Sequence, residues 1–533
     1  MSGFAETGIR RIRRRAGRLS GIVAAVKTVL RQFFAVRSAD HGAVHGRGQL
    51  HRVLGPVALI AVGIGATIGS GIFALTGTVA ATNTGPALTL SLLIAGVGCG
   101  LAALCYCEFA SFLPVSGSAY SYAYATLGEG IAWFIGWNLI LEYGLSASAV
   151  AVSWSGYVTN LLADAGIHFP ALLTDAPIGK APGGGLVATG AIVNVPAVLV
   201  IAVLSAICYT GVRLSAHANS VMVYLKVAII VIFVFAGLRF IDTAHWHPYI
   251  PPNTGEFGHF GWSGVMRGAA IIFFSYIGFD TASTTALESR RPQRDVPIGI
   301  LGALILSGVL YVAMAAVMTG MVPYAKLDVD QPVAVAIDMY PELGWIGTLV
   351  KVGVIAGMTS VVLMSLLGQP RILLAMADDG LLPGALARTH GRYRTPHVAT
   401  VVTGVFAAAF AGLFPLDVLG ELISIGILLA FAVVCVGVLV LRRTRPDVHR
   451  PFRVPWAPVT CVVGALVCLA MTLALPADTW WRLLVWSIAG FSIYAFYGYR
   501  HSRLRVNSQQ GGTAASISPG SGTRGAARGP SEG

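Results

Sequence analysis

Gly63-Ile64-Gly65-Ala66-Thr67-Ile68-Gly69-Ser70-Gly71-Ile72-Phe73 lies inside an apolar run of about 27 residues, 54–80. A helix that only has to cross a bilayer needs Leu, Val and Ala. Each of these four glycines costs it about 1 kcal/mol relative to alanine. Two readings account for them. Gly65-xxx-Gly69 is a small-xxx-small pattern that lets helices pack closely. Gly63 and Gly71 exceed what that pattern requires and favour an unwound turn at mid-depth. Unwound backbone survives in hydrocarbon only where it lines a cavity, and its freed N–H groups suit a carboxylate.

The whole composition places this run in a membrane. Of 533 residues, 55% are hydrophobic and 11% charged, and the mean hydropathy is +0.74. A soluble domain carries about 25% charged residues. No soluble fold of this length could hide so much apolar surface without large exposed patches. A cytosolic enzyme, a secreted disulfide scaffold and a disordered chain are thereby excluded. The seven cysteines lie in or beside apolar runs with no metal-ligand spacing, and read as small buried hydrophobes.

A helix needs about 20 mostly apolar residues to cross about 30 Å of hydrocarbon. Twelve such stretches are predicted, at roughly 54–80, 86–113, 131–161, 190–211, 217–238, 264–286, 297–321, 346–374, 396–414, 418–441, 457–475 and 480–499. With both termini inside, the cytoplasmic segments take 29 of the 36 Lys and Arg. Lys180, Arg239, Arg267, Lys326, Lys351 and Arg482 fall outside, and Lys226 within the membrane. That asymmetry sets cytoplasmic N and C termini, and a multi-pass protein of the plasma membrane is expected. The net charge of +13 then belongs against anionic lipid, so membrane lipids are partners and nucleic acid is not.

The chain divides accordingly: a basic cytoplasmic segment, 1–52; five spans, 53–240; five more, 264–441; two added spans, 456–500; and a tail, 501–533. Apolar residues from Ile12 to Phe33 recur at helical spacing among arginines, which reads as a membrane-surface helix. A disordered basic leader or a misassigned start codon are the alternatives. The Gly-, Ser- and Thr-rich tail reads as disordered.

Other departures from plain apolar helix carry the rest. Phe273-Phe274-Ser275-Tyr276-Ile277-Gly278-Phe279-Asp280-Thr281 places a glycine and an acid in span 6, five spans after the first interruption, as a repeat of five requires. Glu142 lies about 11 residues into span 3, near mid-depth, and Lys226 about 9 residues into span 5. A charge near the bilayer centre costs roughly 2.5–3.5 kcal/mol, so each reads as functional, with a paired acid or a snorkelling lysine as the plainer alternatives. Glu108, near the inner end of span 2, reads as structural. Glu288 and Asp295 flank Arg290, Arg291 and Arg294 and read as a gate or loop salt-bridge cluster.

Taken together the motifs resemble the amino acid–polyamine–organocation superfamily, and within it the cationic amino acid transporter branch in its bacterial form. The resemblance covers about 48–475. It rests on Leu50 to Gly55 leading into the glycine run, on Cys107 to Ala110, and on Pro114 to Tyr120. Gly136 to Tyr143, Gly278 to Asp280, Glu288 to Pro297, and Arg371 through Ala377 to Leu381 complete it. It implies an all-α fold of 12 transmembrane helices, an inverted 5+5 repeat with discontinuous helices 1 and 6 and two added helices, working by alternating access. Thr67, Ile68, Gly69, Ser70 and Gly71 would hold a substrate carboxylate, and carbonyls around Phe274, Ser275 and Ile277 its ammonium. Asp280 and Glu142 match acidic positions linked to the site, Asp280 as a substrate-binding residue and Glu142, with Lys226, as a proton-coupling one. Lys226 falls where proton-coupled relatives carry a lysine in place of a sodium site. Ser365 falls where a residue bounds the side-chain pocket; a small residue there resembles the arginine and lysine carriers. Gln369-Pro370 departs from the pattern and could alter span 8 locally.

The expectation is a proton-coupled permease importing cationic or broad-range L-amino acids, with no cofactor and with the proton rather than sodium as coupling ion. An exchanger or a transporter-like nutrient sensor are the alternatives. A membrane-embedded enzyme would need clustered histidines, catalytic acids or metal ligands, and His41, His45, His51, His245 and His247 are scattered.

Overall fold

In hydrocarbon every backbone N–H and C=O must be satisfied within the chain, which leaves apolar sequence little choice but helix. A computed structural model describes residues 54–112, 118–181, 185–211, 216–284, 289–393 and 395–505. The expected surface helix of 1–52, most of the tail, Glu288, Arg213 and the Pro114–Gly117 motif lie outside the described residues.

Fourteen helices organise the described chain. They are α1 (Pro56–Thr67), α2 (Leu88–Phe112), α3 (Ser118–Thr126), α4 (Glu129–Asp164), α5 (Val195–Thr210), α6 (Ala216–Gly237) and α7 (Gly261–Ile272). Then come α8 (Pro292–Met321), α9 (Pro332–Asp338), α10 (Gly344–Asp378), α11 (His397–Leu413), α12 (Leu416–Thr444), α13 (Ala457–Ala474) and α14 (Ala477–Ile493). Shorter helical turns connect them. Among the described residues, eight helical segments are long and apolar enough to cross a membrane. The other predicted stretches correspond to the shorter helices α1, α5, α11 and α14.

Helix α4 is buried on all sides along most of its length and lies against α10 and α12. On the other side α8 packs on α1 and α2. Large apolar residues such as Phe235, Leu473 and Val485 stay exposed on the periphery, as a lipid-facing surface requires. All seven cysteines are free and buried. Between α4 and α5 a small hairpin, β1 (Ile178–Lys180) antiparallel to β2 (Leu186–Ala188), brings the Lys180 ammonium onto the buried Glu421 carboxylate of α12. Buried Lys351 of α10 pairs with Asp164 at 2.7 Å and Asp338 at 2.9 Å. Glu108 accepts a two-pronged contact from Arg442 at 3.0 and 2.6 Å, plus the Val454 N–H, so its expected structural role has visible partners.

Two places depart from helix. α1 ends at Thr67, Ile68 is extended (φ −75°, ψ 101°), and helical conformation resumes with a wide π turn at Gly71–Leu75. After α7 a tight turn at Phe273–Tyr276 leads to extended Ile277 (φ −63°, ψ 144°) and to Gly278 at φ +112°, a conformation glycine adopts at no steric cost. α10, by contrast, runs through Pro370 without interruption.

The glycines of the first stretch divide their labour. A β-carbon on Gly63 would stand 2.6 Å from Ala303 Cβ, so this glycine seats α1 on α8 within regular helix. The expectation that Gly63 contributes to unwinding is therefore corrected: close packing uses it. Gly71 sits at the resumption, where a β-carbon would stand 2.4 Å from Ser275 Cα.

Candidate functional site

The two departures from helix face each other. Gly71 lets the first approach Ser275, and Gly278 lets the second approach the first, since a β-carbon on Gly278 would stand 2.6 Å from the Ala66 carbonyl carbon. Breaking a helix frees carbonyls, and in a dry interior each needs a donor. Three side chains supply them. Lys226 of α6, wholly buried, donates to Gly65 O at 2.7 Å and Ile68 O at 3.0 Å. Tyr311 of α8 places its hydroxyl 3.0 Å from both Thr67 O and Ser275 O, one from each departure. Tyr157 of α4 donates to Phe73 O at 2.6 Å.

A narrow cavity of about 30 Å³ opens beside this junction. Thr67, Gly69, Ser70 and Gly71 line it from the first departure, and Phe274, Ile277, Gly278 and Asp280 from the second. Glu142, Tyr143, Ser146 and Val150 of α4 and Val361, Met364 and Ser365 of α10 close it.

Its polar groups are underused for a buried place. Both Glu142 carboxylate oxygens, Ser70 Oγ, Ser146 Oγ and one Asp280 oxygen are buried with no hydrogen-bond partner among the described residues. The other Asp280 oxygen accepts from Ser118 Oγ at 3.1 Å and Tyr143 Oη at 3.3 Å. The N–H groups of Gly69 and Ser70 likewise find no acceptor there. Folded proteins leave few buried polar groups unpaired. Acceptors on one side and donors on the other suit a small molecule bearing both an ammonium and a carboxylate. Among the described residues no group of three His, Cys, Asp or Glu is placed to hold a metal ion.

Of the residues picked from sequence, Thr67, Gly69, Ser70, Gly71, Phe274, Ile277, Asp280, Glu142 and Ser365 meet around this cavity. Ile68, Ser275 and Lys226 stand behind it. Ile68 gives its carbonyl to Lys226, and Ser275 gives its carbonyl to Tyr311 while its hydroxyl is unpaired. The Phe274 carbonyl accepts the Ile277 N–H, so in this conformation the carbonyls expected to take an ammonium are partly engaged internally. Asp295 accepts the Arg291 N–H within the first turn of α8, which gives it a helix-start role. Sequence reasoning missed Tyr311, Tyr157, Ser146, Val150, Val361 and Met364. A lone tyrosine in an apolar run is the only signal the first two give.

Apolar helices around a polar, two-sided cavity at paired breaks in helix define a membrane-embedded carrier of small polar solutes. The chain belongs to the amino acid permease family, whose model matches residues 54–494. It is 43% identical over 455 residues to a methylthioribose transporter of Bacillus subtilis, covering 85% of this chain and 95% of that one. It is 42% identical over 463 residues to the branched-chain amino acid permease BcaP of the same bacterium, covering 87% and 96%. It is 41% identical over 406 residues to the vacuolar cationic amino acid transporter 4 of Arabidopsis thaliana, covering 75% and 65%. The chain is an amino acid permease and a multi-pass membrane protein, not an enzyme.

Proposed function

We propose that the chain is a proton-coupled importer of cationic or broad-range L-amino acids, working by alternating access in the plasma membrane. In this reading twelve spans form an inverted 5+5 repeat plus two, both termini are cytoplasmic, and the discontinuous spans are α1 with Gly71–Thr84 and α7 with Thr281–Thr284. The N–H groups of Gly69 and Ser70, with the Ser70 hydroxyl, take the substrate carboxylate. Asp280 and the carbonyls of the second break take the ammonium. Glu142 and Ser365 face the side chain, the small serine leaving room for a long cation. Lys226 holds the Gly65 and Ile68 carbonyls with charge-assisted bonds while protonated and more weakly once it gives up its proton, which links the shape of the first break to protonation. No cofactor is required, and the proton takes the place of sodium.

The observation that carries this reading is the Lys226 ammonium bonded to two carbonyls of the break, 2.7 and 3.0 Å away. The relatives named for branched-chain and for cationic amino acids support a broad substrate range, and the unpaired Glu142 carboxylate supports a cationic preference within it. Purified protein in liposomes tests it. Labelled arginine or alanine should accumulate when the outside is made acidic and should not require sodium. Uptake indifferent to the pH gradient, or dependent on sodium, contradicts the coupling.

A further inference from the structure

A second cavity lies on the outer surface of α8 and shares no lining residue with the substrate site. It is a groove of about 620 Å³ between the first turns of α8 and the segment before α13. Pro297, Ile298, Leu301, Gly302 and Phe452 make its walls, with Arg294 and Gln293 at its mouth. That size is in the range of ligand pockets, roughly 300–1,000 Å³. Arg294 is exposed, and its guanidinium has no hydrogen-bond or ion-pair partner among the described residues. Asp295, the adjacent acid, is buried and bonded to the Arg291 N–H, so it does not neutralise the mouth.

The apolar wall does not stop at the groove. Ile298, Ile305, Leu306 and Val309 continue it along one exposed stripe of α8. From Ile298 to Val309 the helix rises ~16 Å at 1.5 Å per residue, about half of a ~30 Å hydrocarbon core. An unpaired cation at one end of an apolar channel one leaflet long is complementary to a single amphiphile carrying a negative headgroup. The count of Lys and Arg puts the Arg294 end in the anionic inner leaflet, and the inference rests on that orientation for where the lipid comes from.

We propose that this groove is a binding site for one anionic phospholipid, its phosphate on Arg294 and Gln293 and an acyl chain along Leu301 and the stripe beyond. The floor gives the lipid a route to influence transport. Gly302 packs on α1, where a β-carbon would stand 2.8 Å from Ile60 Cδ1, so an occupied groove supports α8 against the helix that ends at the substrate cavity.

The full-length protein in neutral detergent tests this by melting temperature during titration with short-chain phosphatidylglycerol, phosphatidylcholine or glycerol phosphate. Phosphatidylglycerol should raise the melting temperature at the lowest concentration, phosphatidylcholine only at higher ones, and glycerol phosphate not at all. Arg294→Gln should shift the phosphatidylglycerol midpoint by about fivefold, the loss of one cation near a headgroup, and Arg294→Lys should restore it. Leu301→Trp, which fills the groove, should remove the phosphatidylglycerol effect while Arg294 is intact. Equal responses to the two lipids, a response to glycerol phosphate, an unchanged midpoint in Arg294→Gln, or a full response in Leu301→Trp would each overturn the proposal. The readout needs no transport, so it stands or fails separately from the coupling reading.

Discussion

Gly71 and Ser275 meet so closely that a single added methyl group on the glycine would stand 2.4 Å from the serine Cα. The Ser275 hydroxyl, 2.5 Å away, could rotate aside, but the Ser275 Cα is backbone and cannot. Overpacking a tight site costs about 1–3 kcal/mol, and this one cannot relax without separating the two breaks. Gly71→Ala is expected to lower the melting temperature of the purified protein and to reduce uptake at least tenfold. Wild-type uptake by this variant would mean that the two segments need not touch.

Tyr311 ties the same two segments by its hydroxyl. Phenylalanine keeps the ring packed on Tyr276 and leaves the Thr67 and Ser275 carbonyls without their donor. An unsatisfied buried acceptor costs about 1–3 kcal/mol. Tyr311→Phe should therefore be less stable by about that amount and should transport several-fold more slowly. Thermal melts and uptake rates check both, and a variant equal to wild type in both would deny the tyrosine this role.

Glu142 should separate substrates. Its two oxygens have no partner among the described residues, and a cationic side chain would supply one. Hydrogen bonds to charged groups contribute about 1.5–3 kcal/mol, or roughly 10- to 150-fold in affinity. Glu142→Gln is expected to weaken competition by arginine by about that factor and competition by leucine or alanine by less than threefold. Equal losses for all three would move Glu142 from side-chain recognition to coupling.

Asp330 lies just before α9 and outside the membrane-spanning segments. Burial, reinforced by Asp175, Asp417 and Asp328, pushes its carboxyl up to about 7 from 3.8. The folded protein therefore binds this proton more tightly than the unfolded chain. Asp330 costs nothing below about pH 4, and destabilises progressively as pH rises through 7. Solvent screening of this half-buried group holds the effect to the order of 1 kcal/mol. Asp330→Asn should melt higher than wild type at pH 8 and no higher at pH 4. An advantage independent of pH would locate its cause elsewhere.

How far the sequence reaches is clearest at the breaks themselves. Membrane residence is a matter of composition, and glycines or acids inside an apolar run stand out because hydrocarbon penalises them. Gly69, Gly71, Glu142 and Asp280 were legible for that reason. Which glycine serves which purpose was not: Gly63 and Gly71 look alike in the sequence, and only the approach of α8 to one and of Ser275 to the other tells them apart. Tyr311, Val361 and Met364 are ordinary residues of apolar helices, and become part of the site through tertiary packing. Lys226 announced itself as a charge, yet its partners are carbonyls that exist as acceptors only once the first helix ends.

The central claim is that Lys226 couples the proton to the first break, and one comparison addresses it most directly. Lys226→Ala in liposomes should lose pH-driven accumulation of labelled amino acid while retaining counterflow exchange, because Lys226 does not itself line the cavity. Accumulation at the wild-type level, still driven by the pH gradient, would show that the proton travels by another group and would contradict the account.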